Sequence, residues 1–308
     1  MSGDTMENTG AISEIVERGL IVSRIGKRSL HREWTVPLAL GMRGYDIFLS
    51  AYDPDVSPES GPGLFFEHRP GPKVAGYAGF LRDHAELIDH YDYICLMDED
   101  VLANTETIDG FFSVAREWKL KISQPALGWS SYSSYAGLLQ QPKFLLRHVN
   151  FIEMMCPIFH REALRQIFPL YESGLESGID LVWCNLVFET PDDFAVIDAW
   201  PVTHTEPVGA RMSENGFVGG RDYHSDIEVA LHRARIPRLR LVPYDAVRPD
   251  GSRVSGRLRL FWAALQLLRA LRRQKRKRTL IKLAMDHWLH VLLISPRNQR
   301  ATWPAIML

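Results

Sequence analysis

The chain has 308 residues, 46% hydrophobic and 24% charged, which predicts one or two folded domains around a real core and excludes disorder as the main state. The net formal charge is −1, yet residues 251–285 hold 11 Lys/Arg and no Asp or Glu, leaving about −12 on the rest: an acidic body with a basic end. Cys95, Cys156 and Cys184 lie far apart without C-x-x-C spacing, which excludes a disulfide scaffold and a cysteine zinc site and fits a reducing compartment.

The opening MSGDTMENTGAISEIVERG is acidic and polar, without the basic segment and apolar run of a secretory signal. Residues 1–18 read as a lead-in. LIVSRI (Leu20–Ile25) reads as a first strand, 31–42 as a short helix limited by Pro37, and YDIFLSAY (Tyr45–Tyr52) as a second strand rich in β-favouring residues. Asp53–Pro72, with five prolines and three glycines, reads as a loop. Val74–Asp89 places Val74, Tyr77, Ala78, Leu81, Ala85 and Ile88 on one helical face. YICLM (Tyr93–Met97) is a short continuous apolar run, the pattern of a central parallel strand buried on both faces. Thr105–Trp118 is again helical and Leu120–Gln124 again a strand, an alternation that predicts an α/β fold.

The second half is less regular. FIEMMCPIF (Phe151–Phe159) is strand-like, with Pro157 suggesting an edge or bend. Arg161–Glu172 and Ile179–Phe188 read as helices, FAVIDAW (Phe194–Trp200) as a strand, and 223–235 as a helix. Leu258–Arg273 is a basic amphipathic helix, with a second helical stretch around Leu280–Ile294. The longest apolar runs, near 260–268 and 288–294, fall short of the ~18 residues a bilayer span needs. The expected division is a lead-in over 1–18, a catalytic domain over 19–245 and a basic helical extension over 246–308.

The sharpest local feature is YDYICLMDEDV. A buried strand runs directly into Asp98-Glu99-Asp100, and open α/β sheets bind ligands outside the carboxyl ends of their strands. Asp98 and Asp100, two apart, point the same way in extended geometry. Converging carboxylates repel unless a cation lies between them, and hard oxygen ligands suit Mg²⁺ or Mn²⁺ shared with substrate phosphates. The bland alternative is a solvated acidic turn before the next helix.

The ordered series HYDYICLMDEDV, LKISQPALGW, FIEMMCPIFHREALRQIF, ESGIDLVWC and FAVIDAWPVTHTEP resembles the "domain of unknown function 707" family, with IVSRIGKRSLHREW resembling the first strand and loop of its bacterial members. The resemblance runs over roughly residues 20–210. That family is in turn similar to GT-A glycosyltransferases, so the resemblance implies a Rossmann-like sheet, mostly parallel and flanked by helices, and a glycosyltransferase that takes a nucleotide-sugar donor and a glycan or lipid-linked acceptor. It also implies an aspartate–x–aspartate metal site. On that basis Asp98 and Asp100 would hold Mn²⁺ or Mg²⁺ on the donor diphosphate, Asp100 the more directly. His204 stands where the family pattern places a ligand histidine, and an imidazole nitrogen favours manganese. Its alternative is a hydrogen-bonded loop histidine.

Asp180 matches the aspartate of the family's glycine–leucine–aspartate motif, with Ile179 in place of leucine. It is the candidate base that takes the acceptor proton, or else helix-start chemistry; Glu176 is its weaker substitute. Glu153, flanked by Ile152 and Met154, is a carboxylate on an apolar segment, for acceptor binding or an ion pair with an arginine. Arg24 at the end of the first strand, Asp53 after the second and Lys73 before the next helix are candidate donor contacts, or surface charges. Trp129, Tyr132 and Tyr135 in GWSSYSSYAG offer an acceptor platform or simple loop packing. The basic helix 257–278 is suited to an anionic membrane surface, or to packing on the catalytic domain. No recognition motif accompanies its charge, so no nucleic-acid partner is expected. The expected location is cytoplasmic, peripheral at the membrane. The competing readings are a non-catalytic nucleotide- or glycan-binding protein and a metal-dependent nucleotidyltransferase.

Overall fold

The computed structural model describes residues 17–35, 43–207, 222–269 and 277–304. Most of the lead-in, the end of the helix expected over 31–42, and Arg272, Arg273, Lys275 and Arg276 of the basic stretch lie outside those residues. The strands are β1 (Gly19–Ile25), β2 (Tyr45–Ala51), β3 (Leu64–His68), β4 (Tyr93–Leu96), β5 (Val101–Leu102), β6 (Ile122–Leu127), β7 (Leu146–Val149), β8 (Ile158–His160), β9 (Phe194–His204), β10 (Pro243–Val247) and β11 (Arg253–Ser255). The helices are α1 (Lys73–Asp83), α2 (Ala85–Ile88), α3 (Thr105–Glu117), α4 (Arg161–Tyr171), α5 (Asp180–Val187), α6 (Tyr223–Ala234), α7 (Arg257–Ala264) and α8 (Lys277–Leu293).

The α/β architecture is as expected, and its sheet runs β11-β10-β7-β9-β6-β8-β4-β1-β2-β3, with β5 paired to β9. One end, β4-β1-β2-β3, is entirely parallel. β8 enters antiparallel between β4 and β6, β6 and β9 are parallel, and β7, β10 and β11 continue antiparallel. β1 and β4 are buried at every residue, which explains why each reads as an unbroken apolar run. The chain leaves β1 for β2 on one side and reaches β4 on the other, so a crevice opens at their carboxyl ends, the place where open sheets hold ligands.

Local chemistry fixes the helix starts. Asn104 Oδ1 accepts from the Thr107 amide at 2.9 Å to begin α3, and Asp222 and Ser225 form a reciprocal capping box on α6. The helix expected over Val74–Asp89 is interrupted at His84, between α1 and α2.

Three expectations change. The Asp53–Pro72 loop contains β3, a five-residue edge strand whose LFFEH sits between proline and glycine signals that mask it. The strand expected over Phe151–Phe159 shrinks to Ile158–His160. Phe151 and Ile152 are buried as packed loop rather than ladder, and Pro157 supplies only its carbonyl, which accepts from the Leu96 amide. β7, with the polar pair Arg147 and His148, and the late strands β10 and β11 were not expected; the sheet therefore runs on to Ser255.

β7 tolerates its arginine because Asp198 of β9 meets it. Arg147 Nε and Nη2 donate to the two Asp198 oxygens at 2.7 and 3.0 Å, and Arg147 also donates to the Gly137 and Leu139 carbonyls. Both residues are 0% exposed. A fork matched on all sides offsets the desolvation of the pair, but removing one partner strands the other. Asp198→Ala is therefore expected to cost about 3–5 kcal/mol, read as a lowered midpoint of urea unfolding; an unchanged midpoint would show that the pair is not held as described.

Candidate active site at the carboxyl end of β4

The backbone leaving β4 is pinned on three sides. The Met97 amide donates to Val22 O of β1, the Asp98 amide to Met155 O, and the Val101 amide to Asp98 O, closing a tight turn. β5 then zips antiparallel to the end of β9, with Val101 opposite His204. The Thr205 amide and hydroxyl both donate to Asp100 O. That zipper brings Asp98, Asp100 and His204 together: one ligand atom from each lies within 4.8 Å of the others. The expected strand Phe194–Trp200 is four residues longer than the sequence indicated, and His204 is its last residue.

His204 is 4% exposed. Its Nε2 lies 3.2 Å from Asp100 Oδ2 and its Nδ1 3.2 Å from the Tyr132 carbonyl. A carbonyl only accepts, so Nδ1 carries a hydrogen and donates, and Nε2 faces the carboxylate. Burial lowers the imidazole's proton affinity, but Asp100, Asp98 and Glu153 outweigh it and raise His204 above its ordinary value. A lone pair aimed at a carboxylate is repulsive; a proton or a metal ion on Nε2 makes it attractive. Two carboxylates and one oriented imidazole suit Mn²⁺, and ligands across an octahedral ion with ~2.1 Å bonds stand about 4 Å apart.

Lys73, the first residue of α1, sits against the same group. Its Nζ is 2.5 Å from Asp98 Oδ1 and donates to Met154 O at 2.9 Å. Burial lowers its proton affinity, but Asp98, Glu153 and Asp100 raise it above the usual lysine value, so it stays charged. Asp98 is pushed up by burial and by Asp100, against the pull of Lys73.

Glu153 and Asp180 complete the cluster. Glu153 is 8% exposed in the loop before β8, its amide donates to Gln124 Oε1 at 2.8 Å, and no arginine pairs with it among the described residues. Burial, then the charge of Asp180, raises it to about 7. Asp180 begins α5 and is also 8% exposed; burial lifts it to about 6 against the Leu181 amide that donates to Oδ1 at 3.1 Å. Tyr135, Tyr171 and Tyr223 each feel the Asp180 charge and are pushed upward mainly by burial.

The remaining sequence candidates make their hydrogen bonds outside this group. Arg24 donates to Ser50 Oγ and to Gly71 O, so it braces the turn that launches α1. Gly76 of α1 crosses it so closely that a Cβ there would fall 2.3 Å from Arg24 Nε. Asp53 accepts from the Asp55 amide in an Asx turn. Glu176 accepts from the Val74 and Ala75 amides and so caps α1, whose positive end it complements. Trp129 donates its indole N–H to Gln140 O, and Tyr135 packs at 5.2 Å on Phe151.

Sequence reasoning treated Glu99 as a spacer. It is 5% exposed and turns away from the cluster, accepting from the Gly26 amide at 2.5 Å and from Tyr52 Oη at 2.6 Å, which ties the ends of β1 and β2 to the acidic turn. Gln124 and the Tyr132 carbonyl also escaped it; only their places beside Glu153 and His204 in the fold reveal them.

Residues 78–143 match the family described as "Protein of unknown function (DUF707)". The match covers about a fifth of the chain. The stretch holds Asp98 and Asp100 but not Lys73, Glu153, Asp180 or His204. No curated protein matches the chain. Solved structures with some likeness include TarS residues 1–349 from S. aureus in complex with UDP-GlcNAc, at 11% identity and TM-score 0.43 over 73% of this chain and 68% of that one. Another is A197 from STIV, at 14% identity and TM-score 0.36 over 77% and 93%.

Glu153 makes the site's charge measurable without a ligand. Its folded value of about 7 stands above an unfolded value of about 4.5, so the folded state holds the proton more tightly. Its contribution to stability is full below about pH 4.5 and is lost as pH rises through about 7. Relative to Glu153→Gln, the parent chain is expected to lose up to about 3 kcal/mol between pH 4.5 and 7, from urea midpoints across that range. Parallel curves would mean that Glu153 is ionised at no cost.

Proposed function

We propose that this protein is a metal-dependent glycosyltransferase of GT-A-like architecture, using a nucleotide-sugar donor and a glycan or lipid-linked hydroxyl acceptor. The observation that carries the reading is the convergence of Asp98, Asp100 and an oriented His204 Nε2 at the carboxyl end of the central parallel strand, with two further buried carboxylates beside them. The resemblance read from the sequence, and the DUF707 match across the acidic turn, support it.

Asp98, Asp100 and His204 would hold Mn²⁺, or Mg²⁺ less favourably. A divalent ion there supplies Lewis-acid stabilisation of the negative charge that develops on a departing nucleoside diphosphate. Lys73, on Asp98 in the free protein, is within reach of the same charge and turns its ammonium to a phosphate oxygen. Asp180, lifted to about 6 by burial, is ionised near neutral pH and still basic enough to take a proton. It accepts the acceptor hydroxyl's hydrogen as that oxygen attacks the anomeric carbon of the donor and the bond from that carbon to the diphosphate breaks, inverting the centre. Glu153, held near 7, receives a hydrogen bond from the acceptor or donates one to it according to pH.

The test is release of nucleoside diphosphate from a panel of nucleotide sugars with Mn²⁺. Asp100→Ala is expected to abolish release, and Asp180→Asn to lower kcat by about 10²–10⁴-fold while donor binding stays close to that of the parent. Tight donor binding without turnover would favour a non-catalytic protein, and pyrophosphate release a nucleotidyltransferase. Turnover unaffected by Asp100→Ala would remove the metal from the reading.

A further inference from the structure

Nine large hydrophobic side chains are exposed among the described residues, and six of them lie on α7 and α8: Leu258 and Trp262 on the first, Ile281, Met285, Leu289 and Leu293 on the second. Steps of four residues draw a continuous stripe along a helix. Each stripe lies away from the side that packs on the body. Leu260 and Ala264 are buried on α7, and Ala284, His287 and Val291 on α8. The two helices are joined by the Trp288 indole N–H, which donates to Ala264 O at 3.0 Å. Trp262 is 68% exposed and Leu293 64%, a poor use of large apolar surface in water.

The charge around these stripes is mainly positive. Arg257, Arg259, Arg269, Arg278 and Lys282 are exposed, and none pairs with an acid among the described residues. Asp286 is the only acid in 251–293. No helix among the described residues is long and apolar enough to cross a membrane. An amphipathic pair with large apolar side chains outward, cations about them and no capacity to span is the chemistry of an interfacial helix.

We propose that α7 and α8 form a docking face for an anionic phospholipid bilayer, with Trp262, Met285 and Leu289 entering the boundary between headgroups and chains and the arginines and Lys282 meeting lipid phosphates. A second copy of this chain is the poorer occupant, because pairing these faces would bring two basic rims together. The proposal stands independently of the chemistry at the β4 site. The buried side of α8 rests against the 3-10 turn Ala136–Leu138, where a Cβ on Gly137 would stand 3.0 Å from His287 Cε1, and that turn follows the loop whose Tyr132 carbonyl orients His204.

The test is flotation of the full chain with phosphatidylcholine vesicles, with and without phosphatidylglycerol. Binding is expected only with the anionic lipid and is expected to fall as salt rises. Each cation near the surface accounts for about a fivefold change in partitioning, so R257Q/R259Q/R278Q/K282Q should weaken binding by at least ~100-fold. M285S/L289S should weaken it by about tenfold on the same vesicles. These positions are exposed, so circular dichroism should match the parent, and the salt dependence of the unaltered chain tests the proposal without any variant. Absence of binding to anionic vesicles, or equal binding by the four-cation variant, overturns it. So does a dimer in sedimentation that M285S/L289S dissociates while vesicle binding is unchanged. Nucleoside diphosphate release in solution reads the β4 site separately, so either proposal can fail alone.

Discussion

The molecule's organisation turns on gathering negative charge where water is scarce. Asp98, Asp100, Glu153 and Asp180 meet at the end of β4, answered among the described residues by Lys73 at Asp98, His204 at Asp100 and the more distant Arg238 at Asp180. Each pulls on the others: Asp180 and Asp98 push Glu153 upward, while Lys73 and His204 draw it down. Burying a carboxylate without a paired counter-charge is costly, and Glu153 and Asp180 bear that cost side by side. A cation brought by a ligand is the simplest relief. In the proposed reaction the same imbalance would make the site selective, since an anion arriving without a metal would meet repulsion and one arriving with it would not.

Holding such a cluster requires residues that never touch a ligand. The three carboxyl-ended strands are drawn together by Glu99, which turns away from the pocket and takes the Gly26 amide and the Tyr52 hydroxyl. Arg24 fixes the Gly71 carbonyl and Glu176 the first amides of α1, and between them they set where Lys73 begins. The Tyr132 carbonyl fixes which nitrogen of His204 faces Asp100. Several of these side chains look like candidates for catalysis by type alone. What separates them from the cluster is what they hold: Arg24 joins Ser50 to Gly71, Glu99 joins Gly26 to Tyr52, and Glu176 caps α1.

That distinction explains what could be read without coordinates. β1 and β4 were legible because burial on both faces leaves an unbroken apolar run, and Asp98 with Asp100 because their spacing puts both on one side of the chain as it leaves a strand. α1, α3, α4 and α6 followed from periodicity and end chemistry. β7 was not legible, because its arginine and histidine look like surface residues until Asp198 and Asp245 are placed opposite them. β3, β10 and β11 are short strands toward the two edges of the sheet, where pattern is weakest. At the site, the carboxylates could be named, but the partition between ligand and brace could not, because Arg24, Glu176 and Glu99 are committed by contacts over distances of 47 to 102 residues along the chain.

The stretch that matches DUF707 and the remaining site residues divide along a physical line. The segment delivers the two aspartates on the parallel side of the sheet, at the end of a strand whose position is fixed by β1. Glu153, Asp180 and His204 come from beyond it, from a loop, a helix start and the end of β9. They join the aspartates through the β5·β9 zipper, the Met155 carbonyl that takes the Asp98 amide, and Lys73, which spans Asp98 and the Met154 carbonyl. In the proposed reaction the two aspartates, joined by His204 and Lys73, handle the leaving diphosphate, and Glu153 and Asp180 the acceptor. A chain that altered only Glu153 and Asp180 would keep its grip on a metal-bound diphosphate and change what it attacks. Acceptor choice is therefore sought in the neighbourhood of Asp180, among Tyr135, Tyr171, Tyr223 and Arg238, and not in the acidic turn.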